Sequence, residues 1–489
     1  MDRSMGLPTD WRHIDKRVWR PTIIASAAVA AVVILGLRSE SLELLLLGLL
    51  VIGMAFILRG SFLRAGIITF GSILLFQSDA VPFVLKAAFL ALAVLLATQS
   101  IAVVIRMRKH MPDRLRSAAK FVHISAAGIA VLLIAQLVFV IWTQVPLDVW
   151  FRDALNYLML PIAMVIGLEA GLSLPIKSLS FLAISVGFLG AASVLTAWLQ
   201  RRGGSELGFE QFGLASSFTV FVSLALCLAS YFGPARARAG WLVLALVQMG
   251  MIVATGGRQP VVFSVLALGL AVLLGGGTWL RRLWRAGSAL ILVVLSYFAV
   301  IEFSTRYGGG IAVGRLQFFD RISQEGISAI ASDGSAIDRS NAYNWVLEIW
   351  AQSPILGQGL GHYLPAVRTG VVTEGVLTLD TPLVVFAKFG LLGTIVLVGS
   401  LVLVFAAIWP GRLSPDAAPM ARLYWFLGVA LTLATIPNGF PTENRGFPIF
   451  LVLFISVGIG LLSYGTSDRM SSRNLRLGRR TQLAPTSNG

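Results

Sequence analysis

Charge is scarce in this sequence: Asp, Glu, Lys and Arg make up only 13% of its 489 residues, roughly half of what a soluble domain carries. Cysteine is nearly absent. Cys227 stands alone in an apolar run, which excludes an internal disulfide and any metal site built on paired thiolates. The four histidines, His13, His110, His123 and His362, are scattered and lack zinc-binding spacing. A nucleotide-binding motif is missing too. Gly357-x-Gly359-x-Gly361 follows Pro354 in a loop with no strand before it, so it is not a dinucleotide fingerprint and reads as a flexible turn returning His362 and Tyr363 to the bundle. No internal repeat is evident, and few ionisable residues lie in mid-span, which disfavours a transporter or flippase.

What fills the chain is hydrocarbon. Hydrophobic residues account for 56% of the chain, and the mean hydropathy is +0.82. Apolar runs fall near 21–37, 42–58, 64–77, 82–105, 121–142, 155–170, 178–199, 212–231, 240–255, 259–276, 286–303, 382–409, 421–437 and 446–463. They predict an all-α, polytopic integral membrane protein with about 14 transmembrane helices, within a range of 12–14. The third, sixth and ninth runs are short. The formal charge of +16 does not point to nucleic acid, because the basic residues cluster between apolar runs. With the N-terminus inside, the basic start, Arg106 to Lys120, Arg236 and Arg238, Arg281, Arg282 and Arg285, and the tail from Arg469 to Arg480 all fall on the cytoplasmic side. That places both termini in the cytoplasm, with residues 1–20 a basic segment ahead of a retained signal-anchor. Residues 21–211 form N-terminal spans, 212–409 a core, 410–463 C-terminal spans, and 464–489 a basic tail without periodicity.

Within the core, residues 304–381 form a long, non-cytoplasmic loop, and a loop of that size is usually functional. Ser335-x-x-Asp338 resembles a capping box. Beyond it Ala342, Trp345, Val346, Ile349 and Trp350 recur at helical spacing, predicting an amphipathic helix that ends before Pro354.

Three places bring polar groups to this outer edge. Thr255-Gly256-Gly257-Arg258 turns between two runs and leaves Arg258 at the membrane boundary, where a guanidinium either snorkels to phospholipid or faces an aqueous cavity. Arg339, with Arg315 and Arg321 upstream, could join Arg258 in a diphosphate clamp that needs no metal, or form a surface ion pair with Asp338 or Glu348; for Arg321 the ion pair fits better. Asp380, before Thr381-Pro382, suits a base that takes a proton from a hydroxyl and equally suits a helix cap. His362 reads as structural more readily than as a base. Lys388, about two turns into its span, and Lys86 fit either snorkelling or support of an anion site.

These residues resemble the O-antigen ligase and O-antigen polymerase superfamily of bacterial envelope glycosyltransferases. The resemblance runs from about Phe212 to Ala406. Its pieces are Thr255-Gly-Gly-Arg258, Arg339-x5-Trp345 leading into Ser353-Pro-Ile-Leu-Gly-Gln-Gly-Leu-Gly361, and Phe389-Gly390-Leu-Leu-Gly393. It implies an inner-membrane enzyme without cofactor that acts on undecaprenyl-diphosphate-linked oligosaccharide. Its acceptor would be a growing glycan or lipid A–core, its further partners membrane lipids and chain-length regulator or export proteins, and nucleic acid plays no part. The resemblance makes Arg258 and Arg339 the diphosphate contacts; Arg315, Lys388 and His362, read from their own places in and beside the loop, are further candidates for contact with the diphosphate or glycan. Where ligases carry a His-Asn pair about eleven residues before the motif glycine, this sequence has Leu379-Asp380, and Lys388 replaces a usual Glu. An acidic residue there resembles the polymerase branch. Asp380 is then the catalytic candidate, with ligase activity as the alternative.

Overall fold

The computed structural model describes residues 60–76, 82–200, 209–233, 238–253, 258–288, 334–368, 371–379, 381–412 and 419–463, with a few single positions between 290 and 326. The runs at 21–37 and 42–58, most of 286–303 and the basic tail lie outside the described residues, as do Arg315, Arg321 and Asp380. Every other apolar run lies on a helix.

In chain order these are α1 (Ser61–Phe76), α2 (Phe83–Met107), α3 (Asp113–Thr143), α4 (Leu147–Ser173), α5 (Ile176–Gln200), α6 (Phe209–Phe232), α7 (Ala239–Val253) and α8 (Arg258–Leu274). After the loop come α9 (Gly334–Gln352), the strands β1 (Leu364–Arg368) and β2 (Val371–Val376), α10 (Val384–Ala407) and α11 (Pro419–Thr435). An apolar helix, α12 (Phe447–Ser463), ends the described chain. Four of the described helices are long and apolar enough to cross a membrane, those at Phe83–His110, Asp113–Thr143, Leu147–Ser173 and Val384–Ala407; six more are apolar but shorter. This is a helical membrane protein. Among the described residues the one strand pairing is the antiparallel hairpin β1–β2, which the sequence reading did not foresee.

Local chemistry sets the helix ends. Pro82, Pro112 and Pro146 stand directly before α2, α3 and α4, where a fixed φ suits helix entry and the missing N–H has no partner to lose. Gln144, at φ 56°, closes α3 in the left-handed conformation. The sixth apolar run looked short because Asp148, Arg152 and Asp153 interrupt it. Those side chains do not break the backbone pattern, and α4 runs for 27 residues. α9 begins at Gly334, so Ser335, expected to stand ahead of the helix as its cap, lies in the first turn instead.

The bundle is built around α12, whose side chains from Phe447 to Ile459 are almost all inaccessible. A helix that is apolar on every side is stable only when surrounded. Gly167 and Gly171 of α4, one turn apart, let the two backbones meet, since a Cβ on either would stand 2.7 Å from the carbonyl of Val452 or Ser456. At the far end of α4, Glu169 is fully buried and takes Arg64 Nε of α1 at 2.9 Å, Ser61 Oγ at 2.6 Å and Ser100 Oγ of α2 at 2.7 Å.

The helices alternate, and their ends form two layers. In one, Arg114 at the start of α3 donates to the Trp409 carbonyl beyond α10 at 3.0 Å. The same layer holds Gly233 beyond α6, packed against Met420 of α11, and Gly276 beyond α8, packed against Gly233. Arg106, Arg108, Lys109, Arg238, Arg281, Arg282, Arg285 and Arg422 belong to chain segments at this basic end. The opposite layer holds the C-terminus of α3, the N-termini of α4 and α10, and the segment from Pro354 to His362. α8 ends in the basic layer, so its first residue, Arg258, starts about 25 Å away towards the other one.

Candidate functional site

The site grows from a break in a helix. Within α10, Gly390 has φ 61° and ψ −169°, a conformation open only to glycine, and the helix is interrupted there. The break frees backbone groups on both sides, and the run after α9 satisfies them. Gln358 N donates to the Ala387 carbonyl at 2.7 Å and Gly359 N to the Lys388 carbonyl at 2.9 Å. In return, Leu391 N and Leu392 N donate to the carbonyls of Pro354 and Ile355 at 2.9 and 3.2 Å. The strands of chain come so close that a Cβ on Gly357 would lie 2.5 Å from Gly390 N. The run expected to be a flexible turn is therefore a tight, hydrogen-bonded insert seated in a broken helix. Glycines are needed there for close approach, not for looseness.

Beneath the insert lies a buried ionic cluster. Lys388 is 2% exposed, and its Nζ donates to Asp153 Oδ1 of α4 at 2.6 Å and to Glu443 Oε2 at 2.9 Å. Asp153 Oδ2 accepts the Gly361 N–H at 2.8 Å, and Gln136 Oε1 of α3 accepts the Leu360 N–H at 3.3 Å. Tyr157, one turn beyond Asp153, donates its hydroxyl to Glu443 and packs edge-on against Phe389. Asn156 holds the Glu443 backbone carbonyl at 3.0 Å. Two carboxylates and one ammonium, each tied to further donors or acceptors, hold the insert, α4, α10 and the turn before α12 in one register.

This arrangement changes the reading of Lys388. Expected to lean on an anionic substrate, it faces two carboxylates of its own chain, and desolvation is the reason: a lone ammonium is too costly inside the bundle without them. Sequence reasoning missed its partners. The available signals were an Asp in the second turn of a helix entering the membrane and a polar Thr442-Glu443-Asn444-Arg445 turn between two apolar runs. Among the described residues, no group of three His, Cys, Asp or Glu stands close enough to hold a metal ion.

The other expected site residues are placed as follows. Arg258 opens α8, and its side chain lies outside the described residues, as do the Thr255-Gly-Gly turn before it and the whole of Arg315 and Asp380. Arg339 sits in the second turn of α9, half-buried, with its Nε lacking a hydrogen-bond partner among the described residues. The C-terminal turn of α9 is fixed to the insert: Trp350 Nε1 donates to the Pro354 carbonyl at 3.0 Å, and its ring meets Phe386 of α10 edge-on. The expected helix thus ends before Pro354 and carries Arg339 at its other end.

His362 follows the insert directly, half-buried, with Nδ1 lacking a partner among the described residues. Burial lowers its pKa below the ordinary 6.5. The neutral ring is the folded form, so its contribution to stability is complete above the unfolded value and is lost as pH falls through the lower folded one. Melting curves of the detergent-solubilised protein at about pH 7.5 and about pH 5.5 are expected to separate further for the wild type than for His362→Gln. Equal separation would remove the histidine from the acid response.

No protein-family model matches this chain, and no curated protein matches it.

Proposed function

We propose that the chain is a membrane glycosyltransferase that takes an undecaprenyl-diphosphate-linked oligosaccharide as donor and polymerises O-antigen or exopolysaccharide repeat units. In this reading about 14 helices cross the bacterial inner membrane, both termini are cytoplasmic and residues 304–381 face the periplasm. The observation that carries the proposal is the docking of two short stretches, Ser353–Gly361 and Phe389–Gly393, which are separate in sequence and hydrogen-bonded in the fold. They are two of the stretches that carry the resemblance to O-antigen polymerases and ligases. The layer opposite the basic helix ends contains them, and α8 starts towards it, which agrees with positive charge gathering on the cytoplasmic side.

The reaction joins an acceptor hydroxyl to the anomeric carbon of the donor sugar. The bond from that carbon to the diphosphate oxygen breaks, and the lipid diphosphate leaves with its electron pair. Arg258 and Arg339 hold the diphosphate, and their attraction grows as negative charge develops on the leaving oxygens. Asp380 accepts the proton of the attacking hydroxyl. Arg315 and His362 contact the glycan from the loop. Lys388 acts from beneath as a positioning residue, keeping the insert seated between α9 and α10. Transfer of finished polymer to lipid A–core is the alternative, since the same clamp serves either acceptor; a flippase is the more remote one.

Arg258→Ala and Arg339→Ala are each expected to abolish long glycan chains on a gel of surface polysaccharide at unchanged protein level. Normal chain length in both would end the clamp. Deleting the gene separates the two acceptors. A single repeat left on lipid A marks a polymerase, whereas full-length polymer stranded on carrier lipid marks a ligase.

A further inference from the structure

The helical stretch over 279–288, just after α8, is amphipathic in the reverse sense of a soluble helix. Trp279, Leu280, Leu283 and Trp284 are 64%, 77%, 48% and 78% exposed. At 100° per residue they occupy one arc of about 140°. Arg282 and Arg285 take the other side and turn towards the protein. Arg285, 7% exposed, donates Nη1 to the Phe232 carbonyl that ends α6 at 2.9 Å. Arg282 donates Nη1 to the Leu273 carbonyl near the end of α8 at 3.2 Å. Both cations thus bond to carbonyls at helix C-termini, where positive charge is favoured; the Phe232 carbonyl also accepts the Gly276 N–H at 3.0 Å.

An outward face of two tryptophans and two leucines is unstable in water and suits the boundary between headgroups and acyl chains, where indole rings concentrate. The surface beside it is of the same kind: Val262, Val265, Leu266, Leu273 and Leu274 of α8 are exposed, as are Leu290 and Ile291 further on. Arg281 remains. It lies at the rim of the apolar arc beside Trp284, exposed, with no hydrogen bond or ion pair among the described residues. No Asp or Glu occurs anywhere from residue 211 to residue 301. A guanidinium at that depth, with no acid in its stretch of chain, is complementary to phosphate oxygens.

We propose that residues 279–285 form a binding site for anionic phospholipid, with the Trp279–Leu280–Leu283–Trp284 face immersed at the membrane boundary and Arg281 on the headgroup phosphate. The site does not depend on the glycosyl-transfer reading, because it lies in the basic layer, away from the insert.

The test uses the full chain. Trp284→Cys is labelled with a small fluorophore in otherwise wild-type protein; the fully buried Cys227 serves as the unlabelled background, checked on the wild type. In nanodiscs the label is expected to lose most of its fluorescence to lipids brominated near the headgroup end of the acyl chain. An unquenched label overturns the proposal and means that protein, a second copy or another partner, covers the face. In a parallel arm, phosphatidylglycerol added to detergent-solubilised protein is expected to raise the melting midpoint more than phosphatidylcholine does. Arg281→Gln, which touches neither helix cap, is expected to abolish that difference. Equal stabilisation of the wild type by both lipids, or an undiminished preference in Arg281→Gln, overturns the headgroup assignment.

Discussion

Replacing Lys388 with methionine is expected to cost about 3–5 kcal/mol of stability, the largest loss of any single change considered for this protein. Methionine has similar length and fills the space, so the loss reports charge and not a void. What remains is Asp153 and Glu443, 3% and 10% exposed at their side chains, facing each other without the ammonium between them. Each would keep one weaker donor, the Gly361 N–H or the Tyr157 hydroxyl. The check is a melting curve in detergent beside one for the triple variant Lys388→Met, Asp153→Asn, Glu443→Gln. The triple variant carries no charge in the cluster and retains acceptors for Gly361 and Tyr157, so most of the loss should return. A single variant as stable as the wild type would show that the cluster does not hold the bundle together.

Gly390→Ala is expected to unseat the insert. Two effects add. The backbone at φ 61° and ψ −169° lies in a region essentially closed to residues with a Cβ, worth about 1–3 kcal/mol. The new methyl would also run into the Ile355 carbonyl and come within 2.5 Å of Gly357 N. Relief requires one chain to move away and surrender the bonds made by Gln358, Gly359, Leu391 and Leu392. Hydrogen exchange should then rise sharply at those four amides while the far ends of the helices stay protected, and under the proposed function glycan polymerisation should fail with it. Gly399→Ala is the control on the same helix. A Cβ there meets nothing within 4 Å, and exchanging glycine for alanine in a regular helix is favourable by up to about 1 kcal/mol. If Gly390→Ala behaved like Gly399→Ala, the break in α10 would be dispensable.

The parts of this architecture that were legible in advance were those written in local periodicity. Apolar runs at 82–105 or 121–142 announce helices because a span must satisfy its own backbone and hide it from lipid. The helix through Trp345 and Trp350 announces itself by spacing, and Pro354 marks its end. What could not be read is pairing over distance. Lys388 meets Asp153 across 235 residues and Glu443 across 55, and no periodicity encodes such a match. Gly390 looked like an ordinary start of a span because its neighbours are apolar; only the arrival of Gly357 shows that the helix must break there. The hairpin escaped notice for a different reason: its strands are short, and the Thr369-Gly370 step between them was a weak turn signal in a long polar loop.

Asp153 and Glu169 lie on the same helix, sixteen residues apart, roughly 24 Å along its axis. Each is gripped by a cation from a different neighbour, Lys388 near one end and Arg64 near the other. α4 is thus bolted top and bottom like a fixed axle. Sliding or rolling it would tear both fastenings at once, so any rearrangement of the neighbouring helices must swing around this one and leave it still.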